Sequence, residues 1–235
     1  MRDTESIRYS IRKSARTKRL HIKINRLAQV EVVTPHRVPV SEIEFFVREN
    51  IEWIKRQQAK IFSRAENNSN LSFHPPEVID LPLLKKTINV EYTPSSSRNY
   101  FSHAKNKLVI SAIDDQAKYK LLHNFLQQTA KSVLPEMLQL KSKETGLLYN
   151  RVFIKAQKTR WGSCSAKKNI NLNRNLLFLN SDQVEYLLTH ELCHTVHLNH
   201  SNQYWNLVAK HCPQYKILDA SLRKAALEIP LWALI

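Results

Sequence analysis

The organisation of this chain centres on His190-Glu191-Leu192-Cys193-His194, which continues as Thr195-Val196-His197-Leu198-Asn199-His200. On an α-helix, two histidines four residues apart lie on one face, because successive side chains are rotated by about 100°. Their imidazoles then lie roughly 6 Å apart, a separation that one zinc ion can bridge. Glu191 projects near the same face, where its carboxylate can reach a water on that metal. The run predicts a zinc-binding helix, which we expect Asp182 to cap.

Two later histidines, His197 and His200, compete for the third ligand position. If the helix continued, His197 would lie about 10 Å along its axis from His190. Side chains on three successive turns of a straight helix cannot all reach one zinc ion through bonds of about 2 Å. We therefore expect a bend at Leu198-Asn199, where Asn tolerates left-handed geometry, and we favour His200 over His197. Three histidines and one water would form a catalytic zinc site with an open position.

Upstream of this helix, the apolar spacing changes between helical and strand periods. From Asp114 it predicts a long helix that Pro135 kinks or restarts and that Gly146 ends. A strand is predicted near Val152-Ala156 and another over residues 169–179. This order of helix, strands and metal helix indicates a compact α+β catalytic domain.

The N-terminal part has the pattern of a mostly β unit with one helix. Apolar residues alternate over residues 7–33, which predicts half-buried strands in a meander. Ser41 and Glu44 form a capping-box pattern that opens a helix extending to about Ile61. Strand-like runs return at residues 87–92 and 107–111.

The chain is strongly basic, with 36 Lys and Arg against 20 Asp and Glu and a net charge of +16. Such a charge favours anionic partners, including nucleotides, nucleic acid, ribosomes and acidic membrane surfaces. The alternative is a surface kept soluble by lysine. The predicted N-terminal hairpin is the most basic segment, and it either contacts phosphates or is a solvated face whose edge lysines block strand pairing. Its cations are Arg8, Arg12, Lys13, Arg16, Lys18, Arg19, Lys23 and Arg26.

Cysteine usage and hydropathy indicate a cytoplasmic protein. The three cysteines form no CxxC pair, so a disulfide framework is not expected and a reducing compartment fits best. The N-terminal stretch MRDTESIRYS lacks the apolar segment that a signal peptide contains. No apolar run approaches the ~20 residues needed to span a bilayer. The apolar tail over residues 229–235 is expected to pack against the fold or to make a peripheral contact.

Four runs in a fixed order make the chain resemble a known family: Arg160-Trp161-Gly162-Ser163-Cys164-Ser165, Asn171-Leu172-Asn173, the zinc motif, and Asn199 to Trp205. They resemble the YgjP-like metal-dependent hydrolases, a family grouped with the zincin-type peptidases and related to the SprT-like proteins. The resemblance covers most of the chain. It implies that His190, His194 and His200 bind zinc and that Glu191 is the catalytic acid/base. The chain departs from the family pattern at Cys193, where Ala is commoner, and at Tyr204, where Phe is usual.

The Arg160-Trp161-Gly162 segment is a candidate wall of the substrate cleft. Gly162 is one of only two glycines in the chain, and it would allow the backbone to approach the metal cleft closely. Arg160 could donate to an anionic substrate or to an oxyanion. The alternative is that Trp161 packs against the metal helix while Arg160 covers its surface.

These patterns lead to an α+β chain with a basic, β-rich domain over residues 1–112. A zincin-like catalytic domain of helices and a small sheet follows over residues 113–235. The predicted function is zinc-dependent hydrolysis of the metallopeptidase type, in which a peptide pairs with the strand at 169–179. One alternative is a nucleoside-triphosphate pyrophosphatase, for example of the UTP type, that binds phosphates through Arg160 and the basic charge. A second alternative is a nucleic-acid or ribosome-binding module whose zinc is structural.

Overall fold

The computed structural model describes residues 2–4, 7–66, 74–93, 99–102, 104–157 and 159–234. Contacts divide the chain into unit 1, residues 1–73 with 234–235, and unit 2, residues 74–233. The chain is α+β, as predicted, with six α-helices and three small sheets in the described residues. The boundary predicted after residue 112 lies inside unit 2.

Unit 1 contains a four-stranded sheet in the order β1-β2-β4-β3. Its inward apolar residues, among them Ile7, Tyr9, Val30 and Val32, pack against Ile43 of the following helix. The predicted meander is wrong: β2 pairs in parallel with β4, and β3 pairs antiparallel on the other side of β4. The basic segment is therefore not a hairpin, because its two strands flank a third. The strands are β1 (Arg2–Thr4), β2 (Ile7–Lys13), β3 (His21–Ile24) and β4 (Val30–Thr34).

The single helix predicted after this sheet is divided in two, α1 (Val40–Glu49) and α2 (Ile51–Glu66). Asn50 makes the break, because its side-chain amide donates to the Phe46 carbonyl at 2.8 Å and so competes with the helix backbone. The predicted cap at Ser41 is wrong: the N-cap is Pro39, without a side-chain cap hydrogen bond.

Unit 2 begins with a second four-stranded sheet, β5-β6-β8-β7, whose order and strand directions repeat those of the first sheet. The registers agree as well, since Tyr9 is paired with Val30 and Val90 with Leu108. Ala28 lies two residues before Val30, and Asn106 lies two residues before Leu108. Both have positive φ, 56° for Ala28 and 44° for Asn106. The two sheets are thus structural repeats. The strands are β5 (Val78–Leu81), β6 (Lys86–Thr93), β7 (Tyr100–Ser102) and β8 (Lys107–Ser111).

A long helix, α3 (Asp115–Thr145), follows and begins and ends as predicted. The Asp114 side chain accepts from the Ala117 amide, and Gly146 ends the helix with a left-handed φ of 72°. The helix does not restart at Pro135, because the α-helix is continuous through that residue.

A three-stranded sheet in the order β10-β11-β9 comes next, with β9 (Arg151–Lys155), β10 (Gly162–Cys164) and β11 (Asn169–Asn173). The strand predicted over 169–179 is too long: after Asn173 the chain forms 3-10 turns over Arg174–Phe178. Because β11 is paired on both sides, it has no free edge for a peptide. The edge strands on either side of it are β10 and β9.

Three helices complete unit 2: α4 (Ser181–Cys193), α5 (Asn202–His211) and α6 (Tyr215–Ala225). A reciprocal capping box between Asn180 and Gln183 opens α4, so the cap predicted at Asp182 is two residues too late. Residues 229–233 of the apolar tail pack within unit 2, with Trp232 4% exposed and edge-on to Phe178, whereas Ile235 lies outside the described residues. Within the described residues, no helix has both the length and the apolar composition to cross a membrane.

Candidate metal centre

The metal-helix motif does not continue as a straight helix. α4 ends at Cys193, His194 is its C-cap, and the chain turns through Val196 before two bends at residues 198–199. The helix therefore ends earlier than the predicted bend. Asn199 is not among the described residues with positive φ, so left-handed geometry at that residue does not produce the turn. The early end of the helix leaves room for His200 to return to the face of His190.

Three histidine side chains converge after this turn. The candidate ligand atoms of His190, His194 and His200 all lie within 4.8 Å of one another. The Nε2 atoms of His190 and His200 are 3.4 Å apart. Zinc bonds of about 2.0–2.1 Å in tetrahedral geometry place neighbouring nitrogen ligands about 3.3–3.5 Å apart. This donor set therefore fits a zinc ion.

Hydrogen bonds to the other ring nitrogens hold two of these imidazoles in a tautomer suited to a metal. His194 Nδ1 lies 3.0 Å from the carbonyl oxygen of His197, an acceptor only, so Nδ1 carries the proton and Nε2 has the lone pair. Tyr186 donates its hydroxyl to Asp219 at 3.1 Å, and its oxygen faces His190 Nδ1 at 3.5 Å. Burial, with the neighbouring histidines, lowers the pKa of His190 to about 4, which keeps the ring neutral at pH 7.

Glu191 is buried beside this cluster, with only 3% of its surface exposed. Its Oε2 has no hydrogen-bond partner among the described residues. Burial raises the pKa of the carboxyl to about 8, and the positive charge of Arg160 opposes that rise. An unpaired, buried carboxylate oxygen with a pKa near neutrality is suited to accept and release a proton.

Gly162 on β10 packs directly against that carboxylate. A Cβ added at Gly162 would lie 2.5 Å from Glu191 Oε1 and 2.9 Å from its Cγ and Cδ. A side chain there would have to displace the Glu191 carboxylate, so the glycine allows the backbone of β10 to approach it closely. Trp161, Gly162, His190 and Glu191 all line a cleft of about 210 Å³.

The backbone before Gly162 is held by Asn173 at the end of β11. The buried Asn173 amide donates to the carbonyls of Gln157 and Arg160 at 2.7 and 2.8 Å. The Asn173 backbone N–H also donates to the Trp161 carbonyl at 2.8 Å. Arg160 itself is exposed, and its charge acts on Glu191. Sequence reasoning did not identify Asn173 as the residue that positions this segment.

Aromatic rings from α5 and α6 support the histidine cluster. Tyr204 stacks on His194 with a centroid distance of 4.4 Å, and its hydroxyl donates to the His190 carbonyl at 3.1 Å. Trp205 stacks on His200 at 5.4 Å and on Tyr215 at 5.3 Å. These contacts fix the otherwise exposed His200 ring, which lies outside the metal helix.

The cysteines do not join the histidine cluster. Cys193 is fully buried, as expected for a small core residue. Cys164 lies near Glu191, and burial raises the pKa of its thiol to about 11, which disfavours the thiolate that metals bind.

The sequence did not lead us to Tyr186 and Asp219, which lie beside His190. Tyr186 lies one helical turn before His190, so the same four-residue spacing would have identified it.

The Gly162→Ala variant is expected to lose at least about tenfold in kcat/KM, because the added methyl must displace the Glu191 carboxylate. Its zinc affinity should stay near the wild-type value. Gly146→Ala is the matched control, since a Cβ there meets no atom within 4 Å but must adopt a φ of 72°. That control should lose about 1 kcal/mol of stability and keep its activity. Equal activity in the two variants would contradict the proposed role of the close contact.

The raised pKa of Glu191 makes the stability of the metal-free protein depend on pH. Between the ordinary value of 4.5 and the raised value of about 8, the folded state keeps a proton that the unfolded state has released. The metal-free protein therefore loses stability as the pH rises through this window. Glu191→Gln removes the titration, so it should stabilise the metal-free protein by about 2–5 kcal/mol at about pH 8 and far less at about pH 5. Denaturant unfolding at both pH values measures this difference; a pH-independent difference would contradict it.

Comparison with known proteins assigns the chain to a family. A solved metallopeptidase zymogen, abylysin of Pyrococcus abyssi, is 26% identical, with a TM-score of 0.36 over 39% of this chain and 94% of that chain. The zymogen of jannalysin from Methanocaldococcus jannaschii is 18% identical, with a TM-score of 0.35 over 38% of this chain and 93% of that chain. No curated protein matches the sequence. A family model described as YgjP-like, metallopeptidase domain, matches residues 18–225. The chain therefore belongs to the YgjP-like metallopeptidase family, and it is a metal-dependent hydrolase.

Proposed function

We propose that this chain is a zinc peptidase in which His190, His194 and His200 bind the metal and Glu191 is the general acid/base. The observation that carries this proposal is the convergence of three histidine ligand atoms within 4.8 Å beside a buried glutamate with an unpaired oxygen. Zinc bound there would polarise the scissile carbonyl and lower the pKa of a water molecule toward 7. Membership of a metallopeptidase family supports a peptide as the substrate.

Glu191 has two proton transfers to perform in this reaction. Its carboxylate first accepts a proton from the attacking water, and the resulting acid then protonates the leaving amine. In the metal-free protein the buried position raises the pKa of this carboxyl to about 8, and burial favours the protonated form that the second transfer needs. Arg160 opposes that rise, and a bound zinc ion would oppose it further, which favours the ionised carboxylate that acts as the base.

We propose that the substrate binds as an extended strand on the free edge of β10. This edge is adjacent to the site, because Gly162 of β10 contacts the Glu191 carboxylate. Backbone hydrogen bonds to an edge strand position a peptide without regard to its sequence. The short strand thus aligns the scissile bond with Glu191 and leaves side-chain preference to the cleft walls.

The proposal is tested by incubating zinc-loaded protein with an unfolded protein substrate and, in parallel, with nucleoside triphosphates. We expect peptide fragments, and we expect that a chelator stops their formation and added zinc restores it. Hydrolysis of a nucleoside triphosphate with no cleavage of any unfolded protein would overturn the peptidase proposal. It would support the pyrophosphatase alternative that the basic charge suggests.

A further inference from the structure

The outward side of the unit 1 sheet carries a concentration of positive charge. Arg8, Arg12 and Lys23 are exposed and alternate along β2 and β3 with residues that face the core. Lys13 at the end of β2 and the connection between these strands, residues 14–20, add four more exposed cations. We call this set the basic face, and its members are Arg8, Arg12, Lys13, Arg16, Lys18, Arg19 and Lys23.

Few acidic residues offset this charge. Glu31 on β4 accepts a hydrogen bond from Arg12 at 3.1 Å, and the two form an ion pair. Asp3 of β1 is opposite Arg8 in the strand register. Between residues 7 and 34, Glu31 is the only acid. Most of the positive charge on the basic face therefore remains available to an external partner.

The structural repeat in unit 2 shows that this topology does not require the cations. The matched registers place Asn89, Thr93 and Tyr100 of the second sheet at the positions of Arg8, Arg12 and Lys23. The connection at residues 94–98 reads Pro-Ser-Ser-Ser-Arg, with one cation. A sheet of the same order and register thus forms with neutral residues at these positions, so protection of the sheet edge does not explain the charge of unit 1.

We propose that the basic face binds the phosphate backbone of duplex nucleic acid without sequence preference. A dense row of phosphates is complementary to several cations spread over two strands and a loop. Tyr9 is the one Phe, Tyr or Trp between residues 7 and 34, and it is 1% exposed in the core. The exposed aromatic side chain on this side of the sheet, between residues 7 and 34, is the imidazole of His21. A single small ring is a poor platform for successive unpaired bases, and this favours a duplex backbone over a single strand. The net charge of +16 would speed the encounter.

The test compares two triple variants of the full chain with equal loss of charge. Lys13→Gln, Lys18→Gln and Lys23→Gln together change the basic face, whereas Lys120→Gln, Lys131→Gln and Lys143→Gln change exposed lysines of α3. Fluorescence anisotropy measures binding to a labelled DNA duplex of about 20 base pairs between about 50 and 200 mM salt. A single-stranded RNA of equal length and vesicles containing phosphatidylserine are measured in parallel.

We expect wild-type protein to bind the duplex with a steep salt dependence. The basic-face variant should bind at least about tenfold more weakly, with a log–log salt slope smaller by about two to three, while the α3 variant should match the wild type. Equal weakening of both variants, tighter binding to vesicles or single strands, or no duplex binding would overturn the proposal. The result is independent of the peptidase activity, because Glu191→Gln should bind the duplex as the wild type does.

Discussion

Replacing Glu191 by Gln is expected to lower peptide hydrolysis by about 10²–10⁴-fold, the usual contribution of a general acid/base. The amide occupies the same buried space against Gly162 but cannot accept the proton of the attacking water. Zinc content should be unchanged, because the three histidine side chains are untouched. Steady-state kinetics with a fluorogenic peptide, together with metal analysis of the same samples, measures both effects.

Glu185→Gln is the matched control for that variant, because Glu185 lies on the exposed side of the same helix and pairs with Lys141. It should keep wild-type activity and zinc. Full activity in Glu191→Gln would rule out the proposed acid/base role. Loss of zinc from Glu191→Gln would mean that Glu191 acts on the metal site itself.

Replacing His200 by Ala is expected to weaken zinc binding by more than about a hundredfold. Loss of a residue that only hydrogen-bonds to a metal ligand weakens binding less, by about 10–100-fold. His197→Ala should stay within about threefold of wild type, because His197 contacts the cluster through its backbone carbonyl, which the substitution retains. Competition with a chromogenic chelator measures both affinities. If His197→Ala bound zinc more weakly than His200→Ala, the third ligand position would belong to His197.

Local spacing predicted the part of the site that lies on one helix. His190 and His194 follow from a four-residue period, which would also have identified Tyr186, and Glu191 follows from its place directly after the first histidine. Asp219 could not be predicted in this way, because it lies on α6 and reaches Tyr186 only through the tertiary packing of two helices. For the same reason Asn173 gave no signal, since its contacts to Gln157 and Arg160 join separate parts of the sheet.

Strand positions were more predictable than strand order. Alternation correctly showed which residues of β2, β3 and β4 face the core. Alternation does not depend on which strands are neighbours, so it could not reveal that β4 lies between β2 and β3. The same limit applied to the proposed peptide-binding strand, because the alternating apolar residues of β11 do not reveal that both of its sides are paired. The edge proposed for the peptide belongs to the three-residue β10, which is too short to show a period.

The most direct test of the central claim is mass spectrometry of an unfolded protein after incubation with zinc-loaded enzyme in oxygen-18 water. Hydrolysis at the proposed site adds an oxygen from water to each new carboxyl terminus. We expect labelled fragments from the wild type, none from Glu191→Gln, and none from wild-type protein stripped of metal. Intact substrate after incubation with zinc-loaded wild-type protein would contradict the account.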